Sequence, residues 1–316
     1  MKTFKYIPGI RRCRSHPEKW LMVIIPIMAM LLPSYSSGQD IPLLHVKGIK
    51  WTDQEVQFIQ ALHKKGSISV ASEISYSVYE PQADGTIRGF HYHVIDEFSK
   101  LVDIRVNVLT VHWNDYFLKK GESVDRVKTD PNYTYSPELL DKVDLYVEGI
   151  TALPWREQLF DIIKFVPSRQ LLVIRKDERI SNYADLNNKT CVMVKNTSME
   201  FNLEKTREKH HIQFDYIYVD DFDLMDQMVS QKKADFTVFD AVRAFVAIYE
   251  YKNLKIGMPV SEIEMLGWGI HKKNTILKSI IAKYLNYAQT QGIFDKYWKQ
   301  DYGITFVEFL KVLDYR

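Results

Sequence analysis

Short apolar runs rich in β-branched residues recur along most of the chain, and stretches with helical spacing separate them. This alternation is the feature that most restricts the fold. Strand-like runs fall at Ser67–Ala71, Ile104–Val111, Leu145–Val147, Leu171–Ile174, Cys191–Val194, Ile217–Val219, Phe236–Phe239 and Trp268–Ile270. Between them, Phe90–Leu101, Leu224–Lys232, Ala241–Tyr249 and Ile276–Gln289 carry apolar residues three and four apart. Strands alternating with helices predict an α/β architecture with mostly parallel sheets. Ahead of the first strand, Thr52 followed by Glu55 is a capping box for a helix that Gly66 ends.

The ends of the chain read differently. Lys2, Lys5, Arg11, Arg12, Arg14 and Lys19 precede an apolar run from Leu21 to Leu32, and small residues follow at Ser34–Gly38. This is the pattern of an export signal, expected to span residues 1–38 and to be cleaved near Gly38, with an uncleaved inner-membrane anchor as the alternative. The run is short against a hydrocarbon core about 30 Å thick. The expected compartment is the periplasm. The net charge of +2 comes from this basic segment. The remainder is mildly acidic, which gives no electrostatic reason to expect nucleic acid. Of the 2 cysteines, Cys13 leaves with the signal and Cys191 sits in an apolar run, a buried packing residue rather than a nucleophile.

Five stretches, and a sixth at the C-terminus, carry a resemblance. They are Tyr76–Glu80 with Gly85, Gly89 and Phe90; Trp113–Asp115; Asp144–Thr151 with Arg156, Glu157 and Phe165–Pro167; Tyr183–Leu186 with Asn196–Ser198; Ala234–Asp240; and Ala288–Trp298. In order, they resemble the family-3 periplasmic solute-binding proteins, the amino-acid-type receptors of uptake transporters. The resemblance implies a two-lobed clamp of type II, each lobe a mostly parallel sheet flanked by helices, joined by a hinge. The expected divisions are a lead-in helix over 39–65, lobe 1 over 66–170 plus 267–316, and lobe 2 over 171–266. Trp51–Lys65 is similar to the lead-in of clamp domains in sensor kinases and membrane-bound lytic transglycosylases.

The resemblance also implies a site. Arg156, five residues after Thr151, would clamp a carboxylate with Ile150 and Thr151 beside it, since a guanidinium can hold both oxygens. Asp240 would bind an ammonium, or cap the helix at Ala241. Tyr76 and Tyr79 would form an aromatic wall, or simply pack. Thr197 and Ser198 open a helix whose N–H groups favour an anion. Some positions depart from the pattern. His91 and His93 replace acids and read as surface histidines flanking Tyr92. Asn196 replaces a glycine. Pro154 and Trp155 enlarge the clamp loop, and the polar stretch Lys119–Asp141 is long, a lid or a surface excursion.

No phosphate loop, nucleophile elbow or helical metal-binding His pair is present in the sequence, and Asp220, Asp221 and Asp223 lack the loop glycine and downstream Glu of a calcium site. The expectation is therefore a non-enzymatic, monomeric receptor without cofactor or metal. It would capture a small charged solute, such as an amino acid, and deliver it to a membrane permease. A sensor using the same clamp ranks second, because no kinase or transglycosylase segment follows before Arg316; an enzyme resembling cyclohexadienyl dehydratase ranks third.

Overall fold

A computed structural model describes residues 40–314. The export signal expected over 1–38, and Cys13 within it, lie outside the described residues.

The first half carries a single-turn 3-10 helix at Pro42–His45, α1 (Asp53–Lys65), β1 (Ser67–Ser72), the hairpin β2 (Glu80–Pro81) and β3 (Ile87–Arg88), α2 (Phe90–Val102) and β4 (Arg105–Thr110). A 3-10 helix at Trp113–Phe117, α3 (Val124–Thr129), a 3-10 turn at Glu138–Asp141, β5 (Leu145–Thr151), α4 (Pro154–Leu159) and β6 (Asp161–Ser168) follow. The second half runs β7 (Gln170–Arg175), a 3-10 turn at Tyr183–Leu186, β8 (Thr190–Val194), α5 (Ser198–His210), β9 (Asp215–Val219), α6 (Phe222–Ser230), β10 (Phe236–Asp240), α7 (Ala241–Glu250), β11 (Leu254–Pro259) and β12 (Glu264–Ile270). The chain closes with α8 (Thr275–Thr290), α9 (Ile293–Tyr302) and α10 (Phe306–Asp314).

These strands form two five-stranded sheets, ordered β4-β1-β5-β12-β6 and β11-β7-β10-β8-β9. In the first, β1 pairs in parallel with β4 and β5, while β12 runs antiparallel to β5 and β6. In the second, β8 pairs in parallel with β9 and β10, and β7 runs antiparallel to β10 and β11. Each sheet thus has one reversed strand among otherwise parallel ones. In both, the reversed strand is the one the chain enters on crossing from the other sheet: β7 after Arg169, and β12 after residues 260–263. The crossings leave the C-terminal ends of the parallel strands facing a shared crevice, the place where open α/β sheets bind ligands.

Local chemistry explains the boundaries. Glu55 N–H donates to Thr52 Oγ1 and Glu55 accepts from the Thr52 N–H at 2.7 Å, completing the capping box of α1. Gly89, at φ 122°, starts α2; a Cβ there would lie 2.4 Å from the Val78 carbonyl oxygen. The strand β6 went unrecognised in the sequence because Pro167 interrupts it. It sits at a sheet edge, paired only to β12, where a missing N–H is tolerated. Cys191 is fully buried in β8, and burial pushes its thiol well up, in keeping with packing rather than reactivity. Among the described residues no helix is long and apolar enough to cross a membrane.

Candidate functional site

A cavity of about 120 Å³ lies between the sheets, lined from both sides. At about 30 Å³ of liquid volume per water this is room for about four waters, the scale of a small solute. Glu73, Tyr76, His91, Trp113, Glu148 and Gly149 line it from the first lobe; Thr197, Ser198, Phe222, Asp223, Asp240 and Arg243 line it from the second.

The residues expected from the sequence divide into two groups. Tyr76, Thr197, Ser198 and Asp240 reach the cavity wall. Tyr76 meets Tyr302 edge to face at 6.3 Å, and the Arg243 guanidinium lies 5.1 Å from its ring. Thr197 caps α5, its Oγ1 accepting from the Glu200 N–H at 3.1 Å. Asp240 precedes α7 without a side-chain cap bond, and the Ser168 hydroxyl donates to it at 3.5 Å. Burial raises its carboxyl to about 7, Glu264 adding to this and Arg156 opposing it.

Tyr79, Ile150, Thr151 and Arg156 lie off the wall. Tyr79 packs on Tyr92 with ring centroids 5.3 Å apart, and Ile150 is core, opposite Gly267 in the β5–β12 ladder. Thr151 Oγ1 donates to Ser198 Oγ at 2.8 Å from beneath the cavity. Arg156, 0% exposed, is no solvated loop charge. Its guanidinium lies 5.0–5.3 Å from the rings of Trp113, Phe117 and Trp155 and donates to the carbonyls of Thr151 (3.1 Å) and Asn196 (2.8 Å). Burial lowers it to about 9, so it stays charged at neutral pH. In this arrangement Arg156 ties the two lobes through backbone carbonyls and does not face the cavity.

A polar seam continues beside it. The Gln170 amide donates to Ser198 Oγ at 2.8 Å, and the Asn202 amide donates to Gln170 Oε1 (2.9 Å) and Glu264 (2.7 Å). Asn196, at φ 64°, holds the left-handed conformation that asparagine accepts more readily than most residues. Its amide donates to Asn114 Oδ1 at 2.7 Å, and Lys128 Nζ donates to its oxygen at 2.6 Å. Lys128 belongs to the long stretch Lys119–Asp141. That stretch folds into α3 and a 3-10 turn, with Tyr135 buried and its hydroxyl bound to the Phe117 carbonyl.

Several cavity residues escaped the sequence reading. His91 is buried rather than a surface residue: α2 turns it inward, where Trp268 Nε1–H donates to its Nδ1 at 2.9 Å. Burial lowers it to about 3, so it is neutral. His93 is half-buried, stacked on Tyr297 at 4.5 Å. Glu148 stands inside the otherwise apolar strand β5, a visible signal, and Glu73 directly follows β1. Arg243 donates to Asp223 (2.9 Å) and Asp226 (2.6 Å), which neutralise it. The cavity wall is therefore acidic on balance. Among the described residues no group of His, Cys, Asp and Glu is arranged to hold a metal ion.

No protein-family model matches the chain. A curated relative, the membrane-bound lytic murein transglycosylase F of Desulfosudis oleivorans, is 22% identical over 266 residues, covering 81% of this chain and 53% of the relative. The chain thus spans about half the length of the curated relative it matches. Among solved structures, a mutant of ArgBP from T. maritima superposes with a TM-score of 0.62 at 18% identity, over 78% of this chain and 99% of that one. The solute receptors for L-cysteine of Neisseria gonorrhoeae give 0.63 at 16% identity, over 77% and 92%. The sheet order, the crossings and these superpositions agree: the chain has the two-lobed α/β fold of the type II, family-3 periplasmic solute receptors.

Proposed function

We propose that this chain is an exported solute receptor that closes on an amino acid or similar charged solute and passes it to a membrane transporter. One observation carries the reading: a solute-sized cavity whose polar groups come from both lobes, so that a bound molecule would favour the closed form. Lobe 1 is taken as residues 66–170 plus 267–316 and lobe 2 as 171–266, with the two crossings as the hinge. The first-turn N–H groups of α5, beside Thr197 and Ser198, suit a carboxylate. Asp240 suits an ammonium. Tyr76 supplies an aromatic wall. Arg156 acts as a positioning residue for Thr151 and Asn196. The amino-acid-binding structural neighbours support the reading, and the work is binding rather than turnover.

A second reading, a periplasmic sensor or regulator using the same clamp, draws support from α1. This lead-in helix is fastened to α8 by Glu55, and the chain matches a lytic transglycosylase.

The test is a thermal-shift screen of the full chain against amino acids, small peptides, organic acids and muropeptides, with Asp240→Ala and Arg156→Ala alongside. A solute at 100 times its Kd adds about 2.7 kcal/mol. The receptor reading expects an amino acid to stabilise the wild type and not Asp240→Ala. Stabilisation by muropeptides alone would move the regulatory reading ahead. Conversion of any stabilising solute into product would overturn the non-enzymatic part.

A further inference from the structure

Glu73 and Glu148 stand side by side because of strand register. β1 and β5 pair with Val70 opposite Leu145 and Ala71 opposite Tyr146, and the same offset carried two residues onward sets Glu73 opposite Glu148. The Glu73 N–H accordingly donates to Glu148 Oε2 at 3.4 Å. Neighbouring strands lie about 4.8 Å apart, and like charges directly opposite each other destabilise a sheet.

Nothing nearby relieves them. Glu148 otherwise accepts only neutral donors, the Gly149 N–H at 2.9 Å and the Tyr116 hydroxyl at 3.4 Å, and Glu73 accepts from the Trp113 N–H. From the second lobe, Asp221 and Asp223 at the start of α6 add negative charge to Glu73. From α9, Tyr302 is fully protonated. From α2, His91 is neutral. Arg243, the cation on the same cavity wall, is held by Asp223 and Asp226. Among the described residues no Lys or Arg forms an ion pair with either glutamate.

A separate observation points into the same corner. His91 is only 7% exposed, and Trp268 N–H occupies its Nδ1, so the neutral ring carries its proton on Nε2. That nitrogen has no hydrogen-bond partner among the described residues. It faces the space left by Gly149, 3.4 Å from where a Cβ would stand, beside Glu148. A buried donor without a partner and two carboxylates, Glu148 buried and Glu73 half-buried, thus converge on the cavity, and among the described residues no cation pairs with either carboxylate.

We infer that Glu73 and Glu148, with His91 beside them, form the subsite that selects the solute's side group, and that this group is a terminal amine or guanidinium. This rests on the clamp reading and names its substrate class. A guanidinium or ammonium between the two carboxylates supplies the positive charge the register demands. In its absence burial, and for Glu73 also the charge of Glu148, push both carboxyls upward, so the pair retains a proton. The cation displaces that proton to solvent. The sign follows: proton and solute compete, so affinity rises with pH through the pair's titration range.

The experiment is isothermal titration of the full chain with L-arginine, L-citrulline (its neutral isostere) and agmatine (arginine without the carboxylate). Each is run at pH 6 and pH 8, in two buffers of different ionisation enthalpy. Expected are at least tenfold tighter binding of arginine than of citrulline, tighter arginine binding at pH 8, and release of up to one proton. In Glu148→Gln the arginine preference and the proton release both fall away. Citrulline binding as tightly as arginine would overturn the subsite and leave the clamp standing. Binding of agmatine alone would keep the cation pole and overturn the amino-acid class. Binding of none would overturn the amino-acid receptor reading itself. The wild-type ratio needs no variant, so a poorly folding Glu148→Gln leaves the test intact.

Discussion

Two glycines in the paired strands β5 and β12 show how differently one methyl group is received. A Cβ on Gly267 would stand 2.2 Å from the Ile163 carbonyl oxygen, a backbone atom fixed in the β6–β12 ladder. Gly267→Ala should therefore cost about 1–3 kcal/mol, read as a lower denaturation midpoint in urea. A Cβ on Gly149 meets nothing closer than His91 Nε2 at 3.4 Å, an ordinary contact, but it enters the corner beside Glu148. Gly149→Ala should keep the wild-type urea midpoint within about 0.5 kcal/mol and weaken solute binding in calorimetry. Equal effects on stability would contradict the geometry of one or the other. At this scale the sequence is partly legible. Asp240, Thr197, Ser198 and Tyr76, singled out by the motifs, line the cavity. Arg156 has the motif's spacing but an aromatic enclosure from Trp113, Phe117 and Trp155, which spacing alone does not reveal.

Among the elements, α1 offers the clearest electrostatic anchor. Glu55 accepts from Lys283 Nζ at 2.6 Å and Ser279 Oγ at 2.6 Å on α8, besides closing its own capping box. Burial pushes its carboxyl up, but the bonds from Lys283, Ser279 and Thr52 outweigh it and hold it at about 2. A depressed folded-state pKa contributes stability that is fully present above the unfolded value, near 4.5, and is lost as pH falls toward 2. Glu55→Gln should therefore cost about 2 kcal/mol at pH 7. Its denaturation curve should converge with that of the wild type as pH drops from 5 toward about 2. A constant difference across that range would assign the loss to packing. The helix and its cap are readable from Thr52, Glu55 and Gly66; its anchor lies more than two hundred residues away and is not.

For the whole molecule, one residue of the second lobe gathers three from the first. Asn196 receives Arg156 at its carbonyl, Lys128 at its side-chain oxygen, and offers its amide to Asn114. If the two crossings act as a hinge, this contact biases it toward closure. Asn196→Gly keeps the left-handed backbone and the Arg156 bond and removes the other two. With one neutral and one charged hydrogen bond lost, at about 1 and 2 kcal/mol, the closed-to-open ratio should fall by roughly a hundredfold. Small-angle scattering of the full chain should then give a larger radius of gyration; unchanged scattering would show that the latch does not set the equilibrium.

The alternation of strand and helix, the capped lead-in, the inert Cys191 and the type II architecture are legible in the sequence alone. Periodicity and caps depend on neighbours a few residues apart, and the sequence lists those neighbours directly. The Glu73–Glu148 pair, the inward turn of His91, the enclosure of Arg156 and the reach of Lys128 to Asn196 depend on strand register and lobe contact. These join residues tens of positions apart, and only the tertiary structure, by minimising exposed apolar surface over the whole chain, decides which of them meet.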